Sequence, residues 1–304
     1  MPKKQLPFSD HQLRDIVEQY GSPLHIYNEQ GIRTSARELK AAFDWAKGYK
    51  NYFAVKATPT PGILEVLQEE GMGFDCSSRA ELVMMQRLGV NGQDIFYTSN
   101  NTPKQDFELA IELGAIVNID DLTQVPVFLE ALGEREYQSV AVRYNPGDQH
   151  GGNAIIGEPI EAKYGMSLAQ IGEAFTLLAK ANIKRFGIHT MVASNELDPK
   201  FFQKTAELIK GAIGASGVEI DFVNLGGGFG VAYNPDQEQL DFEQVASGIR
   251  RELVDSGVDI YTENGRAITA PHGYLLTRVQ YVMQKHKSYI GVDASMHNLM
   301  RPGM

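Results

Sequence analysis

From about Gly31 onward, short apolar runs rich in Val, Ile, Phe and Tyr alternate with amphipathic stretches whose apolar positions recur at helical spacing. The alternation repeats eight times. The predicted strands are Tyr52–Lys56, Gly73–Ser77, Asp94–Thr98, Ala115–Ile119, Ser139–Tyr144, Arg185–Thr190, Asp221–Leu225 and Asp259–Glu263. Helices are predicted over Pro61–Glu70, Arg79–Leu88, Lys104–Leu113, Leu122–Leu132, Leu168–Ala181, Pro199–Ile213 and Phe242–Asp255, with Ser78 and Asp198 placed to cap two of them. Eight strand-then-helix units in about 230 residues predict a closed (β/α)8 TIM-type barrel, since an open doubly wound sheet usually has fewer strands. In such barrels chemistry collects at the carboxyl ends of the strands. Lys56, Asp75, Arg143, His189, the glycines after Leu225, and Glu263 all fall there.

Beyond Pro271 the pattern changes. Tyr274–Val282 and Ser288–Asp293 read as two strands with no helix between them, the start of a β-rich unit. Leu24–Tyr27 reads as a further strand of the same unit. The expected organisation is therefore an amino-terminal segment of a β-domain over residues 1–30, a barrel over 31–270, and the start of the rest of that β-domain over 271–304.

Composition narrows the function. With 43% apolar and 22% charged residues, the 304-residue chain has the make-up of a globular protein with a large core. A net charge of −10, with no Lys/Arg block interleaved with aromatics, argues against nucleic acid and acidic membrane surfaces and for small-molecule work. One cysteine, Cys76, excludes an internal disulfide and a Cys-based zinc site; no metal is expected. The first residues carry no apolar stretch behind Lys3 and Lys4, and no run is long enough to span a bilayer, so a cytoplasmic protein is expected.

Lys56 ends the apolar run Phe53-Ala54-Val55 just before Thr58-Pro59-Thr60-Pro61. An amine delivered to a strand end is placed to form an imine with a carbonyl cofactor, and burial would lower its pKa toward the nucleophilic form. A lysine pointing to water accounts for the same tetrapeptide. Leu225-Gly226-Gly227-Gly228-Phe229-Gly230 follows a strand and fits a phosphate cradle or a tight turn equally well; Val231 breaks the dinucleotide fingerprint, and there is no P-loop ending. Glu263-Asn264-Gly265-Arg266 puts a carboxylate at the last strand end, a spacing that a surface ion pair explains as well.

Taken in order, Phe53–Ala57, Phe74–Leu82, Val142–Gly147, Lys163–Met166, Gly187–His189, Gly226–Gly230, Glu263–Arg266 and Val292–Met296 resemble the motifs of diaminopimelate decarboxylases. These belong to the alanine-racemase-like group of pyridoxal-phosphate decarboxylases. The likeness runs from about Gly21 to the last residue. It implies pyridoxal 5'-phosphate at the barrel mouth, with Lys56 as the lysine that binds its aldehyde. Glu263 would face the pyridine nitrogen, and Gly227, Gly228, Ser194 and Arg266 would surround the phosphate. Asp75 and Arg143 would lie beside the cofactor, orienting Lys56 and the phenolic oxygen. His189 matches the first histidine of Gly-x-His-x-His-x-Gly-Ser, as a cofactor neighbour or a structural residue. Arg301, in an Arg-Pro pair, would bind a substrate carboxylate.

The resemblance implies decarboxylation of meso-diaminopimelate to L-lysine and CO2 by a homodimer, with other basic amino-acid decarboxylases and racemases sharing the framework. It also has departures. Met191 stands where the second histidine stacks on the ring, and Asn264 replaces the proline of Glu-Pro-Gly-Arg. The family continues well past the Arg-Pro pair into a Cys-Glu-Ser motif that reaches the neighbouring subunit's site. A truncated chain, an atypical member, or a cofactor-binding module without catalysis would each account for the sequence; Cys76 is expected to be a core side chain.

Overall fold

The computed structural model describes residues 6–152, 155 and 157–300. In chain order its strands are β1 (Leu24–Tyr27), β2 (Lys50–Ala54), β3 (Gly73–Cys76), β4 (Ile95–Ser99), β5 (Ile116–Ile119), β6 (Tyr137–Arg143), β7 (Ile183–His189), β8 (Phe222–Asn224), β9 (Asp259–Thr262), β10 (Gly273–Leu276), β11 (Val279–Gln284) and β12 (Ser288–Val292). Strands β2 to β9 close into a parallel barrel in sequence order, as the eightfold alternation predicts. Helices run between consecutive barrel strands, Pro61–Glu69 after β2 and Pro199–Ala215 after β7 among them. Ser78 and Asp198 do cap their helices, accepting the main-chain N–H of Glu81 and Lys200.

The barrel interior is filled in layers. Tyr52, Phe96, Ile116, Ala141, Phe222 and Tyr261 form one buried cluster, with the Tyr261 ring centroid 5.2 Å from Tyr52 and 5.1 Å from Phe222. Gly187 makes this possible: a Cβ there would lie 2.1 Å from the Phe222 ring. Side chains on a strand alternate between faces. Two residues beyond Ile116, Ala141, Gly187, Phe222 and Tyr261, the inward positions are therefore Asn118, Arg143, His189, Asn224 and Glu263, all buried. An apolar layer thus carries a polar layer above it, at the carboxyl ends of the strands.

Arg33–Thr269 form one compact unit, and the remaining described residues, up to Ile32 and from Ala270, form a second. In this second unit β1 pairs antiparallel with β10 and β11 with β12. The run Tyr274–Val282, expected as one strand, divides because Thr277 Oγ1 and the Arg278 N–H both bond to Asp293 Oδ1, at 2.5 and 2.8 Å. Two long helices were not predicted: Asp10–Tyr20, opened by a Ser9–Gln12 capping box, and Glu29–Ala42, which precedes the first barrel strand. Among the described residues no helix is long and apolar enough to cross a membrane, and no group of metal-ligating side chains assembles.

Candidate active site

Strand β2 stops at Ala54, two residues short of the expected end, and Val55–Ala57 form a 3-10 turn ahead of Pro59 and Pro61. Lys56 rides on that turn with its side chain 58% exposed, and its Nζ donates to Asp75 Oδ2 at 2.9 Å. Asp75, on β3, is buried, and its Oδ1 has no partner among the described residues. Burial and the nearby Glu263 push the Asp75 carboxyl up to about 7, against the pull of Lys56. The Lys56 pKa is raised, foremost by Asp75. This reverses the expectation that burial would lower it: the carboxylate partner outweighs desolvation.

Glu263 follows β9 directly. Asn224 Nδ2 donates to its Oε1 at 2.8 Å, and His189 Nε2 donates to its Oε2 at 3.3 Å. Burial opposes its charge, yet His189, then Lys56 and Arg143, hold its pKa below the usual carboxylate value. His189 packs over Phe96 at 5.9 Å between ring centroids, and its Nδ1 is buried with no partner among the described residues.

The glycine run leaves β8 and passes between the ends of β7 and β9. Gly226 and Gly228 adopt φ of +67° and +98°, values that favour glycine. A Cβ at Gly227 would lie 2.4 Å from the Glu263 carbonyl, and one at Gly228 would lie 2.7 Å from the Ala193 carbonyl. The turn is held by main-chain bonds from Glu263 N–H to Gly226 and from Glu196 N–H to Gly228, and by Phe229 N–H donating to Asn264 Oδ1 at 3.2 Å. The bonds of Glu196 set the loop that carries Ser194 alongside Gly228. Met191, which replaces the expected histidine, directs its sulfur 3.1 Å from the Gly227 nitrogen and accepts that N–H. Arg266 opens a short helix, Arg266–Thr269, and donates to the Tyr233 hydroxyl at 3.1 Å. Gly265 brings this turn against that of Lys56, since a Cβ there would sit 2.6 Å from Ala57 Cβ.

Arg143 is tied elsewhere. Its Nη1 donates to Asp120 Oδ1 at 2.9 Å, its Nη2 to the Met191 carbonyl at 3.4 Å, and its guanidinium lies 4.8 Å from the Tyr164 ring centroid. None of these contacts reaches Lys56. Met166 N–H donates to the Arg143 carbonyl at 2.8 Å, which docks the Lys163–Met166 motif on the end of β6. Cys76 is a buried free thiol whose pKa burial pushes well up. Arg301 lies outside the described residues.

Sequence reasoning brought together Lys56, Asp75, His189, Glu263 and the glycine turn, but overlooked Asn224 and Asp120. Both were findable: each is a polar residue at or just past the end of an otherwise apolar strand, and the period of two turns Asn224 inward. An exposed amine, an ionised carboxylate, a turn with no room for side chains, and buried polar atoms without partners at Asp75 and His189 fit pyridoxal 5'-phosphate. The fold and this mouth define a barrel enzyme of the pyridoxal-phosphate class.

Residues 29–270 match the family model described as pyridoxal-dependent decarboxylase, pyridoxal binding domain. The chain belongs to this family of pyridoxal-phosphate-dependent carboxy-lyases. It is 35% identical over 302 residues to Protein TabA of Pseudomonas amygdali pv. tabaci, covering 96% of this chain and 70% of that protein. With diaminopimelate decarboxylase of Methanothermobacter thermautotrophicus it shares 30% over 304 residues, covering 95% and 70%. The crystal structure of diaminopimelate decarboxylase from Helicobacter pylori complexed with L-lysine superposes with a TM-score of 0.87 at 24% identity, covering 95% of this chain and 74% of that one.

Proposed function

We propose that the protein removes the α-carboxylate of a diamino acid, with meso-diaminopimelate giving L-lysine and CO2 as the leading reaction. When bound, pyridoxal phosphate supplies the aldehyde that captures the substrate amine and the ring that takes up the electron pair left as CO2 departs. In this reading Lys56 holds the cofactor covalently, and Asp75 fixes the direction of its Nζ. Glu263, an acceptor kept ionised by His189, Lys56 and Arg143, holds a proton on the pyridine nitrogen. Gly227, Gly228, Ser194 and Arg266 take the phosphate, through main-chain donors and a guanidinium whose geometry matches its oxygens. Met191 offers a polarizable face to the ring in place of an imidazole. Arg301 takes a substrate carboxylate.

The observation that carries the reading is the Lys56–Asp75 contact of 2.9 Å at the barrel end that also holds Glu263. The 30% identity to a diaminopimelate decarboxylase supports the substrate. The higher identity to TabA, 35%, favours a second reading in which the same chemistry acts on a different amino acid. Release of CO2 from meso-diaminopimelate, lysine, ornithine and arginine, each offered to the cofactor-loaded protein, separates the two. Preference for meso-diaminopimelate by at least about tenfold in kcat/KM, some 1.4 kcal/mol of transition-state discrimination, supports the first. Turnover of another amino acid in its place supports the second.

A further inference from the structure

Asn224 ends β8 with its side chain wholly buried, and both of its polar side-chain atoms are engaged in the site. Its Oδ1 accepts the Gly226 N–H at 2.9 Å, while its Nδ2 donates to Glu263 Oε1 at 2.8 Å. The circuit closes through the backbone, because the Glu263 N–H donates to the Gly226 carbonyl at 2.8 Å. A carboxamide is suited to this position, since it offers an acceptor and a donor at once; aspartate offers acceptors alone, and leucine offers neither. The first glycine of the turn and the carboxylate thus share one side chain as well as one backbone bond.

We propose that Asn224 is a positioning residue that couples Glu263 to the glycine turn, so that the group seating the phosphate also fixes the carboxylate facing the pyridine nitrogen. The proposal rests on the reading of Glu263 given above. Asn224 sets the carboxylate in two ways. Its N–H occupies Oε1 while His189 occupies Oε2, so each oxygen is presented as an acceptor. Being neutral, it also adds no negative charge beside Glu263, whose pKa is already pulled up by burial and down by His189, Lys56 and Arg143.

Asn224→Asp is the sharpest test. It keeps an acceptor for the Gly226 N–H but replaces the donor to Glu263 with a second carboxylate, and two carboxylates sharing a site hold one proton between them. The variant is expected to bind pyridoxal phosphate, titrated by absorbance, within about threefold of wild type, because the turn keeps its bond. Its bound-cofactor spectrum is expected to gain a pH dependence across about pH 6 to 8 that wild type lacks, and CO2 release is expected to fall roughly thirtyfold. Glu263→Gln, run beside it, separates the two ideas. A shifted spectrum in Glu263→Gln with a pH-independent, wild-type spectrum in Asn224→Asp overturns the coupling alone. An unshifted spectrum in Glu263→Gln overturns the role of Glu263 and the coupling with it. If Asn224→Asp does not fold, Asn224→Ala removes both bonds; it is expected to shift the spectrum and weaken cofactor binding about tenfold together. Asn224→Ala with a wild-type spectrum overturns the coupling.

Discussion

At the amino-terminal end of the barrel, Lys50 pairs with Asp94 and Arg185 with Asp259, and all four side chains keep contact with water. At the carboxyl end, Arg143–Asp120 and His189–Glu263 are buried, and Asp75 Oδ1, Asn118 Oδ1 and His189 Nδ1 have no partner among the described residues. Partly exposed pairs contribute little and cost little. A buried polar atom left unbonded costs about 1–3 kcal/mol. The contrast is between a rim whose ion pairs face water and a rim whose polar groups are buried, where the proposed reading seats the cofactor.

Substitutions at the two rims sharpen the contrast. Lys56→Ala removes the amine proposed to bind the cofactor, and CO2 release by the loaded protein is expected to fall at least about a thousandfold. Asp75→Asn acts next, through pH. With its carboxyl pushed up to about 7 from an unfolded value of about 4, folded wild-type protein binds more protons than the unfolded chain between those limits. Stability therefore falls as pH rises through that window. In cofactor-free protein, the stability of wild type relative to Asp75→Asn is expected to drop from pH 4 to pH 7, by no more than about 4 kcal/mol, as read by urea unfolding. A flat difference would mean that Asp75 is an ordinary carboxylate.

Gly227→Ala has a smaller effect. The added Cβ meets the Glu263 carbonyl at 2.4 Å, and the displaced turn is expected to weaken pyridoxal phosphate binding by about ten- to a hundredfold in an absorbance titration. Asp94→Ala at the opposite rim is expected to change unfolding free energy by no more than about 1 kcal/mol and to leave CO2 release unchanged. A large loss of turnover there would erase the distinction between the rims.

Much of the carboxyl rim was legible because short apolar runs rich in Val, Ile, Phe and Tyr, alternating with amphipathic stretches, mark eight strands, and the ends of those strands can be read for polar residues. Lys56, Asp75, His189 and Glu263 come together for that reason. What was not legible depended on contacts remote in sequence. The 3-10 turn at Val55–Ala57 looks like continued strand, since Val55 is apolar and β-branched. The break after Leu276 is made by Asp293, sixteen residues beyond Thr277. Asn224 reads as one polar residue ahead of a glycine run, and its bond to Glu263 crosses from β8 to the residue after β9. The sign of the Lys56 shift depended on Asp75, nineteen residues further on, and strand burial alone gave the wrong direction.

The most direct test is borohydride reduction of the pyridoxal-phosphate-loaded protein, followed by peptide mass analysis. A single reduced pyridoxyl-phosphate adduct on the peptide bearing Lys56, at that amine, is the predicted result. An adduct at another lysine, or none after the cofactor has bound, would contradict the assignment of this barrel mouth as the site where the cofactor is covalently held.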